Sequence, residues 1–449
     1  MSQRCLLIAD DLTGGADAGA QFAKNGLKTH LISFQKENAG IDLSKYAQPD
    51  VLIVNTDSRG VTPEKASSLI YNLFKTYHQK VFPIIYKKID STLRGNIGHE
   101  IDAILRGMNG ALGFMAPSYP EQNRRLVGGI MIIGEKPLAL TEVAQNATSP
   151  IQESHVYKLL QQQSRNSVGW IDITLVASGV ERLKEVVERK QKKGMKIIIF
   201  DAVSRQDLAN VAEVGFSLER KPLFIGSAGL AEEVAKKITP SRVQSREPLK
   251  QTEKDFKHIL IISGTASSVT HQQLRRIEQR KIPAYQLNKT LLVIDDIRAQ
   301  VERKEISKKI SNLLSRGMVI LKTTPEMLLS EDSKDLPIHL KIVKTLADIT
   351  LQSLELSKVA IRDLALILIG GDTAQSIINV LGNEGIEIEG EILEGVVKGH
   401  LIGGKWDGLN IITKAGAFGK ENALEKIILS PWHLSRSGPN PLSKPRGIW

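Results

Sequence analysis

Short apolar runs recur along this chain, and nearly every one stops at a cluster of small or polar residues. They are Cys5 to Ala9, Thr29 to Ser33, Val51 to Asn55, Phe82 to Tyr86, Ala111 to Ala116, Lys196 to Phe200 and Pro222 to Ile225. Helical patterns separate them, and this alternation predicts βαβ units with a mostly parallel sheet under helices. The pattern resumes at His258 to Ile262, Met318 to Lys322, Leu364 to Ile369 and Leu409 to Thr413. A chain of 449 residues is too long for one core. The expected fold is therefore α/β in two domains, each a mostly parallel sheet flanked by helices, with the active site in the cleft between them. Residues 1–238 form the first domain. Residues 239–257, polar and interrupted by Pro240 and Pro248, form a linker, and 258–430 form the second domain. Residues 431–449 form a tail that docks on the rest, since its tryptophans argue against full disorder.

Composition narrows the partners. The net charge is +11, but the excess lies in solvated helical stretches such as Glu181 to Lys196 and Glu302 to Arg316, and aromatics are only 5%. No zinc-finger or RNA-binding pattern accompanies the charge, so no nucleic-acid partner is expected; an electrostatic pull on acidic substrates is. No apolar stretch reaches the roughly 20 residues of a membrane span, and the first residues lack a signal-peptide pattern. No membrane partner and a cytoplasmic location are the expectation. Cys5 sits inside the first strand pattern, where it serves as a small buried hydrophobe. The oligomeric state stays open, a homo-oligomer included.

The polar clusters carry the chemistry. In a parallel sheet the carboxyl ends of the strands share one edge, where ligands bind. Asp10 and Asp11 follow the first run, Arg59 the third, and Lys88, Asp90, Ser91, Arg94 and Asn96 the fourth. Carboxylates accept hydrogen bonds from sugar hydroxyls, and Arg59 or Arg94 suits a two-pronged grip on a carboxylate. Any one Asp or Ser before a helix is as readily an N-cap. Recurrence at strand after strand favours a pocket for a small polyhydroxylated acid.

In the second half three runs end in glycine turns: Ser263-Gly264-Thr265, Gly370-Gly371-Asp372-Thr373, and Lys414 to Gly419, which contains Gly416, Ala417 and Phe418. Glycines let backbone amides approach phosphates, Lys414 adds a cation, and Asp372 suits magnesium or a ribose. This is the equipment of an ATP site. Gly399 to Lys405 imitates a phosphate loop, but Trp406 stands where a magnesium-binding Ser or Thr belongs. A dinucleotide fingerprint is lacking, and the histidines show no zinc spacing.

In order, I-A-D-D-L-T-G at Ile8 to Gly14, D-S-R-G at Asp57 to Gly60, K-K-I-D-S-T-L-R-G-N at Lys87 to Asn96, A-P-S-Y-P-E-Q-N-R at Ala116 to Arg124, G-S-A-G-L-A at Gly226 to Ala231, S-G-T at Ser263 to Thr265, G-G-D-T at Gly370 to Thr373 and K-A-G-A-F-G at Lys414 to Gly419 resemble the four-carbon acid sugar kinase family. The resemblance spans almost the whole chain. It implies a two-domain kinase whose first domain binds the sugar acid and whose second binds ATP, phosphorylating threonate, erythronate or 3-oxo-tetronate on the terminal hydroxyl. On that pattern Asp10 or Asp11, Arg59 and Lys88 to Ser91 touch the acid; Ser263, Gly370 to Thr373 and Gly416 to Gly419 touch the nucleotide. Ala374 and Ala417 replace small polar residues of the family pattern, a departure that leans toward the threonate kinases.

Phosphoryl transfer needs an in-line hydroxyl, neutralised phosphate charge and usually a proton acceptor. Asp11 and Asp90 are the candidate catalytic carboxylates, with magnesium bridging the phosphates and Asp372 its candidate ligand. The rival from another class is a non-catalytic sensor of sugar acid and nucleotide.

Overall fold

The five residues of β1 (Cys5–Ala9) are all buried, as a central strand covered on both faces requires. This computed structural model describes residues 4–34, 49–76, 82–108, 110–145, 151–239, 256–292, 297–324, 327 and 337–429. The tail, and the linker from 240 to 255, lie outside the described residues. The remaining strands are β2 (Thr29–Ser33), β3 (Val51–Asn55), β4 (Ile84–Lys88), β5 (Gly113–Ala116), β6 (Arg124–Val127), β7 (Ile130–Ile133), β8 (Lys136–Pro137), β9 (Val168–Ile171), β10 (Ile197–Phe200), β11 (Leu223–Gly226), β12 (His258–Ser263), β13 (Ala284–Gln286), β14 (Met318–Lys322), β15 (Leu364–Ile369), β16 (Gly385–Leu393), β17 (Val396–Ile402) and β18 (Asn410–Lys414).

Each half carries a mostly parallel stretch of sheet. In the first half the order is β2-β3-β1-β4-β11-β5-β10-β9, all parallel, and in the second β13-β14-β12-β15-β18, also parallel. A long antiparallel hairpin, β16 and β17, extends the second stretch. β16 then pairs antiparallel with β2, so the two stretches join edge to edge in one 15-stranded sheet. At the seam Glu387 opposes His30, and their side chains meet at 3.1 Å.

Strand order reverses at two places. β1 has β3 on one side and β4 on the other; β12 has β14 on one side and β15 on the other. Such reversals open a crevice at the carboxyl ends, because the following helices leave on opposite faces. The first helix, Leu12–Lys24, packs between β16 and the helix Ala228–Ile238, thereby touching both halves. Its approach is close: a methyl group on Gly19 would lie 2.3 Å from Ile53 Cδ1.

β4 begins two residues later than the apolar run and takes in Lys87 and Lys88. Lys87 tolerates full burial because Glu100 of the helix Ile97–Gly107 meets its ammonium at 2.5 Å. The small antiparallel sheet β6-β7-β8 and the β16–β17 hairpin have no counterpart in the apolar runs, since their residues alternate or are half exposed. The phosphate-loop imitation Gly399 to Lys405 ends the second hairpin strand and turns through Trp406 to Gly408, with Gly408 N donating to Leu401 O.

Candidate active site

Asp10 and Asp11 leave β1, and Asp11 caps the first helix by accepting from Gly14 N at 3.1 Å. Arg59, just beyond β3, donates to both oxygens of Asp10, at 2.8 and 3.1 Å, and to Asp11 Oδ1 at 2.6 Å. Burial would raise the Asp10 carboxyl, but Arg59 and then Lys87 hold it below the ordinary range. Asp90, beside them at the end of β4, accepts from Thr92 Oγ1 at 2.6 Å and from Arg94 Nε. Here too burial works upward, and Arg94 with Arg59 wins, leaving the carboxyl well below its usual value. Lys88 donates to Ile89 O, and a methyl group on Gly14 would lie 3.1 Å from its ammonium. Asn96 ties the Arg59 loop by donating to Ser58 O and Val61 O. Ser91 accepts from Arg124, which enters from β6.

The strand ends farther out do not join this group. Ser118 and Ser227 spend their hydroxyls on backbone carbonyls of Ala202 and Ser118. Asp201 accepts from Gly128 N, Gly129 N and Trp170 Nε1, which fixes the turn between β6 and β7. The polar cluster is thus confined to the ends of β1, β3 and β4, with Arg124 entering from β6.

In the second half β12, β15 and β18 are neighbours, so their three glycine turns share one hollow. They interlock: a methyl group on Gly264 would lie 2.6 Å from Thr373 Oγ1, and one on Gly416 2.5 Å from Thr265 Oγ1. Ser263 Oγ is buried there with no hydrogen-bond partner among the described residues. Gly370, at φ 101, starts the helix Gly371–Leu381, whose first amides face the hollow. Lys414 is fully buried, with its ammonium on Thr270 Oγ1 and the carbonyls of Ala415 and Gly416; burial pulls its pKa down to about 7. It therefore lies beneath the loop that carries Ala417, Phe418 and Gly419. Gln273 holds the far side of that loop through the carbonyls of Phe418 and Gly419.

The hollows face one another. A methyl group on Gly371 would lie 3.4 Å from Thr13 Oγ1 and 3.5 Å from Asp11 Oδ2. Arg124 stacks over the Phe418 ring, its guanidinium carbon 5.1 Å from the ring centre. Crowding by protein atoms, then the charges of Asp372 and Asp11, raise the Asp57 carboxyl. Asp372 is exposed at the helix start, and no group of three or more His, Cys, Asp or Glu side chains forms a metal cage among the described residues. Magnesium commonly arrives on phosphates and takes only one or two carboxylates from a protein, which Asp372 and Asp57 fit.

Asp17, Arg124 and Glu391 crowd the same cleft, and Gln375 braces the helix Gly371–Leu381 from behind; none of the four stands out as a site residue in the sequence. Burial raises Asp17 to about 6 and Glu391 to about 7. Arg124 closes the motif Ala116 to Arg124, but the half-exposed strand β6 that carries it has no apolar run to mark it. Gln375 was legible only as a buried polar residue one turn after Gly371.

Two family profiles match the chain: one described as a sugar-binding N-terminal domain over residues 5–234, the other as a nucleotide-binding C-terminal domain over residues 260–424. The chain is 29% identical over 433 residues to a D-threonate kinase of Salmonella typhimurium, covering 94% of this chain and 96% of that protein. It is 27% identical over 433 residues to a D-erythronate kinase of Heliobacterium modesticaldum, covering 93% and 94%. A 3-oxo-tetronate kinase of Burkholderia multivorans matches at 23% over 431 residues, covering 94% and 96%. A crystal structure from Salmonella typhimurium LT2, provisionally described as a tRNA synthase, superposes with a TM-score of 0.75 at 20% identity, covering 93% of this chain and 97% of that one. At that identity the likeness concerns the fold alone.

Proposed function

The chain belongs to the four-carbon acid sugar kinase family, and from that premise we propose that it transfers the γ-phosphate of ATP to the terminal hydroxyl of threonate. The observation that carries the reading is the meeting of two crevices, in which the amide end of the helix Gly371–Leu381 stands against Asp11 and Thr13.

The geometry supports the following roles. The acid lies over the ends of β1 and β4, within reach of Asp10, Lys88, Asp90 and Ser91. Arg59 and Arg94 keep the aspartates ionised and aimed, and Asn96 fixes the loop beneath them. The triphosphate lies over Ser263, Gly370, Gly371 and Thr373, under the loop Gly416 to Gly419 that Lys414 supports. Magnesium would be held by Asp372 with Asp57, offsetting phosphate charge. Asp11, which stands against Gly371 of the nucleotide half, takes the proton as the substrate oxygen bonds to the γ-phosphorus and ADP leaves with the bridging oxygen. Joining the hollows also excludes water that would otherwise hydrolyse ATP. Residues 1–238 serve the acid, 258–430 the nucleotide, and 239–257 link them; the enzyme works in the cytoplasm on these small molecules.

A panel of D- and L-threonate, D- and L-erythronate and 3-oxo-tetronate with ATP and magnesium, scored by ADP release, tests the proposal. The highest kcat/KM is expected for a threonate. A preference for erythronate or 3-oxo-tetronate would replace the substrate, and no release with any of them would overturn the kinase reading.

A further inference from the structure

Three arginines surround the acid-binding hollow, and they are not equivalent. Arg59 spends Nε and Nη2 on Asp10 and Asp11, and Arg94 spends Nε on Asp90 and Thr92. A guanidinium already clasped by carboxylates is a poor receptor for another one. Arg124 differs: Nη1 donates to Ser91 Oγ, the guanidinium lies over the Phe418 ring, and the buried Nε has no partner among the described residues. Burial lowers its basicity, and the charges of Asp90, Asp17 and Glu394 act on it from a distance with no ion pair formed among the described residues. Its backbone is well fixed, because β6 follows a tight turn in which Tyr119 N donates to Arg124 O and Arg124 N donates to Tyr119 O, while Asp201 anchors the hairpin end.

We infer that Arg124 takes the carboxylate of the sugar acid through its unpartnered Nε edge, with Ser91 and Phe418 setting the plane of the guanidinium. A planar donor edge matches the two oxygens of a carboxylate, and stacking leaves that edge free to point along the ring. The acid end is thereby fixed at the Arg124 side of the hollow, leaving the opposite, hydroxylated end for Asp11 and the γ-phosphate. Because Phe418 belongs to the nucleotide-side loop, the same contact ties acid recognition to joining of the two halves. This inference rests on the sugar-acid kinase reading and names the residue responsible for the acid's charge.

The test compares the preferred acid with its primary amide, in wild type and Arg124→Gln. Wild type should favour the acid by about 100-fold in kcat/KM, as loss of a buried charged hydrogen-bond pair implies. In Arg124→Gln the acid KM should rise about 100-fold, acid and amide should become nearly equal, and the ATP KM should stay within threefold. If that variant does not fold, Arg124→Lys serves, with about tenfold loss of the same preference expected because an ammonium lacks the planar edge. Unchanged discrimination between acid and amide overturns the inference alone. So does a raised ATP KM with discrimination intact, which would put Arg124 on the phosphates. A wild type inactive on every four-carbon acid overturns the kinase reading as well.

Discussion

The side-chain amide of Asn55, at the end of β3, donates a 2.5 Å hydrogen bond to Gln375 Oε1, one turn inside the helix Gly371–Leu381. The same glutamine donates to Ser33 Oγ at 2.9 Å and to Asn379 Oδ1 at 2.6 Å. Residues of β2 and β3 thus hold, from behind, the helix whose first amides face Asp11. The contact bridges the two halves beside the site, so it bears on how often both crevices are aligned.

Gln375→Leu should therefore weaken alignment more than either binding site. It leaves the buried Asn55 amide without its acceptor, a cost of about 1–3 kcal/mol. Expected are a loss of about tenfold or more in kcat/KM for the acid, a lower melting temperature, and an ATP dissociation constant within threefold of wild type. Calorimetry with ATP alone, beside steady-state kinetics, separates these. Normal kinetics with only reduced stability would mean that the contact is architectural.

Asp11 and Asp90 are equal candidates from the sequence, and the proposed roles divide them. Asp90 is clasped by Arg94 and Thr92 and held at low pKa, which suits a hydrogen-bond acceptor for substrate and makes it a weak proton acceptor. Asp11 also accepts hydrogen bonds, from Arg59, Thr13 and Gly14, and what sets it apart is its position against Gly371 of the nucleotide half. Asp11→Asn keeps an N-cap side chain, so the fold should survive, while single-turnover phosphoryl transfer falls on the order of 10²–10⁴-fold. Asp90→Asn should lose turnover chiefly through a raised acid KM, with ATP binding nearly intact. Equal single-turnover rates at saturating acid in the two variants would remove Asp11 as the base; loss of ATP binding in Asp90→Asn would refute the division of the site.

The sequence carried the strands β1, β2, β3, β14 and β15 to the residue, because each is buried along most of its length and centred on apolar residues. It also carried most residues of both crevices, since the turns after such strands are where ligands meet parallel sheets. What it did not carry depends on neighbours distant in the chain. Lys87 looked like a strand terminator, yet Glu100 lets it sit inside β4. Arg59 reads as a carboxylate clamp from its own position, and only the fold shows that it pairs with Asp10 and Asp11. β16 alternates glutamates with isoleucines, and only its pairing with β2 shows that the hairpin welds one half to the other.

Glu391, on β16, gives the cleft a pH dependence. Burial, and then the charge of Asp17, raise its pKa to about 7, against an ordinary value of 4.5. Between those limits the unfolded chain is ionised and the folded one still holds its proton, so stability falls as pH rises and levels off above about 7. Glu391→Gln removes the ionisation and retains an oxygen for Gly395 N, which donates to Oε1 at 2.7 Å. Thermal unfolding should show wild type and variant alike near pH 5, with the variant more stable near pH 8 by on the order of 2 kcal/mol. Curves that stay parallel across this range would contradict the assignment.

Two adjacent glycines separate folding of the nucleotide turn from chemistry in it. Gly370 has φ 101 and ψ 137, a conformation closed to other residues, and a methyl group there would also lie 3.3 Å from Thr373 Oγ1. Gly370→Ala should cost about 1–3 kcal/mol of stability and weaken ATP binding at least tenfold, because the turn must re-form around the strain. Gly371 is an ordinary first helical residue, and alanine there meets Thr13 Oγ1 at 3.4 Å and Asp11 Oδ2 at 3.5 Å, both acceptable contacts. Gly371→Ala should keep wild-type stability and bind ATP within threefold. On the proposed roles, however, its methyl group would stand in the gap between Asp11 and the γ-phosphate, so kcat should fall at least tenfold. Melting curves, ATP titration and turnover on the same two proteins give the comparison. A Gly371→Ala enzyme running at the wild-type rate would place the reacting atoms elsewhere, and Asp11 would lose its claim to the proton.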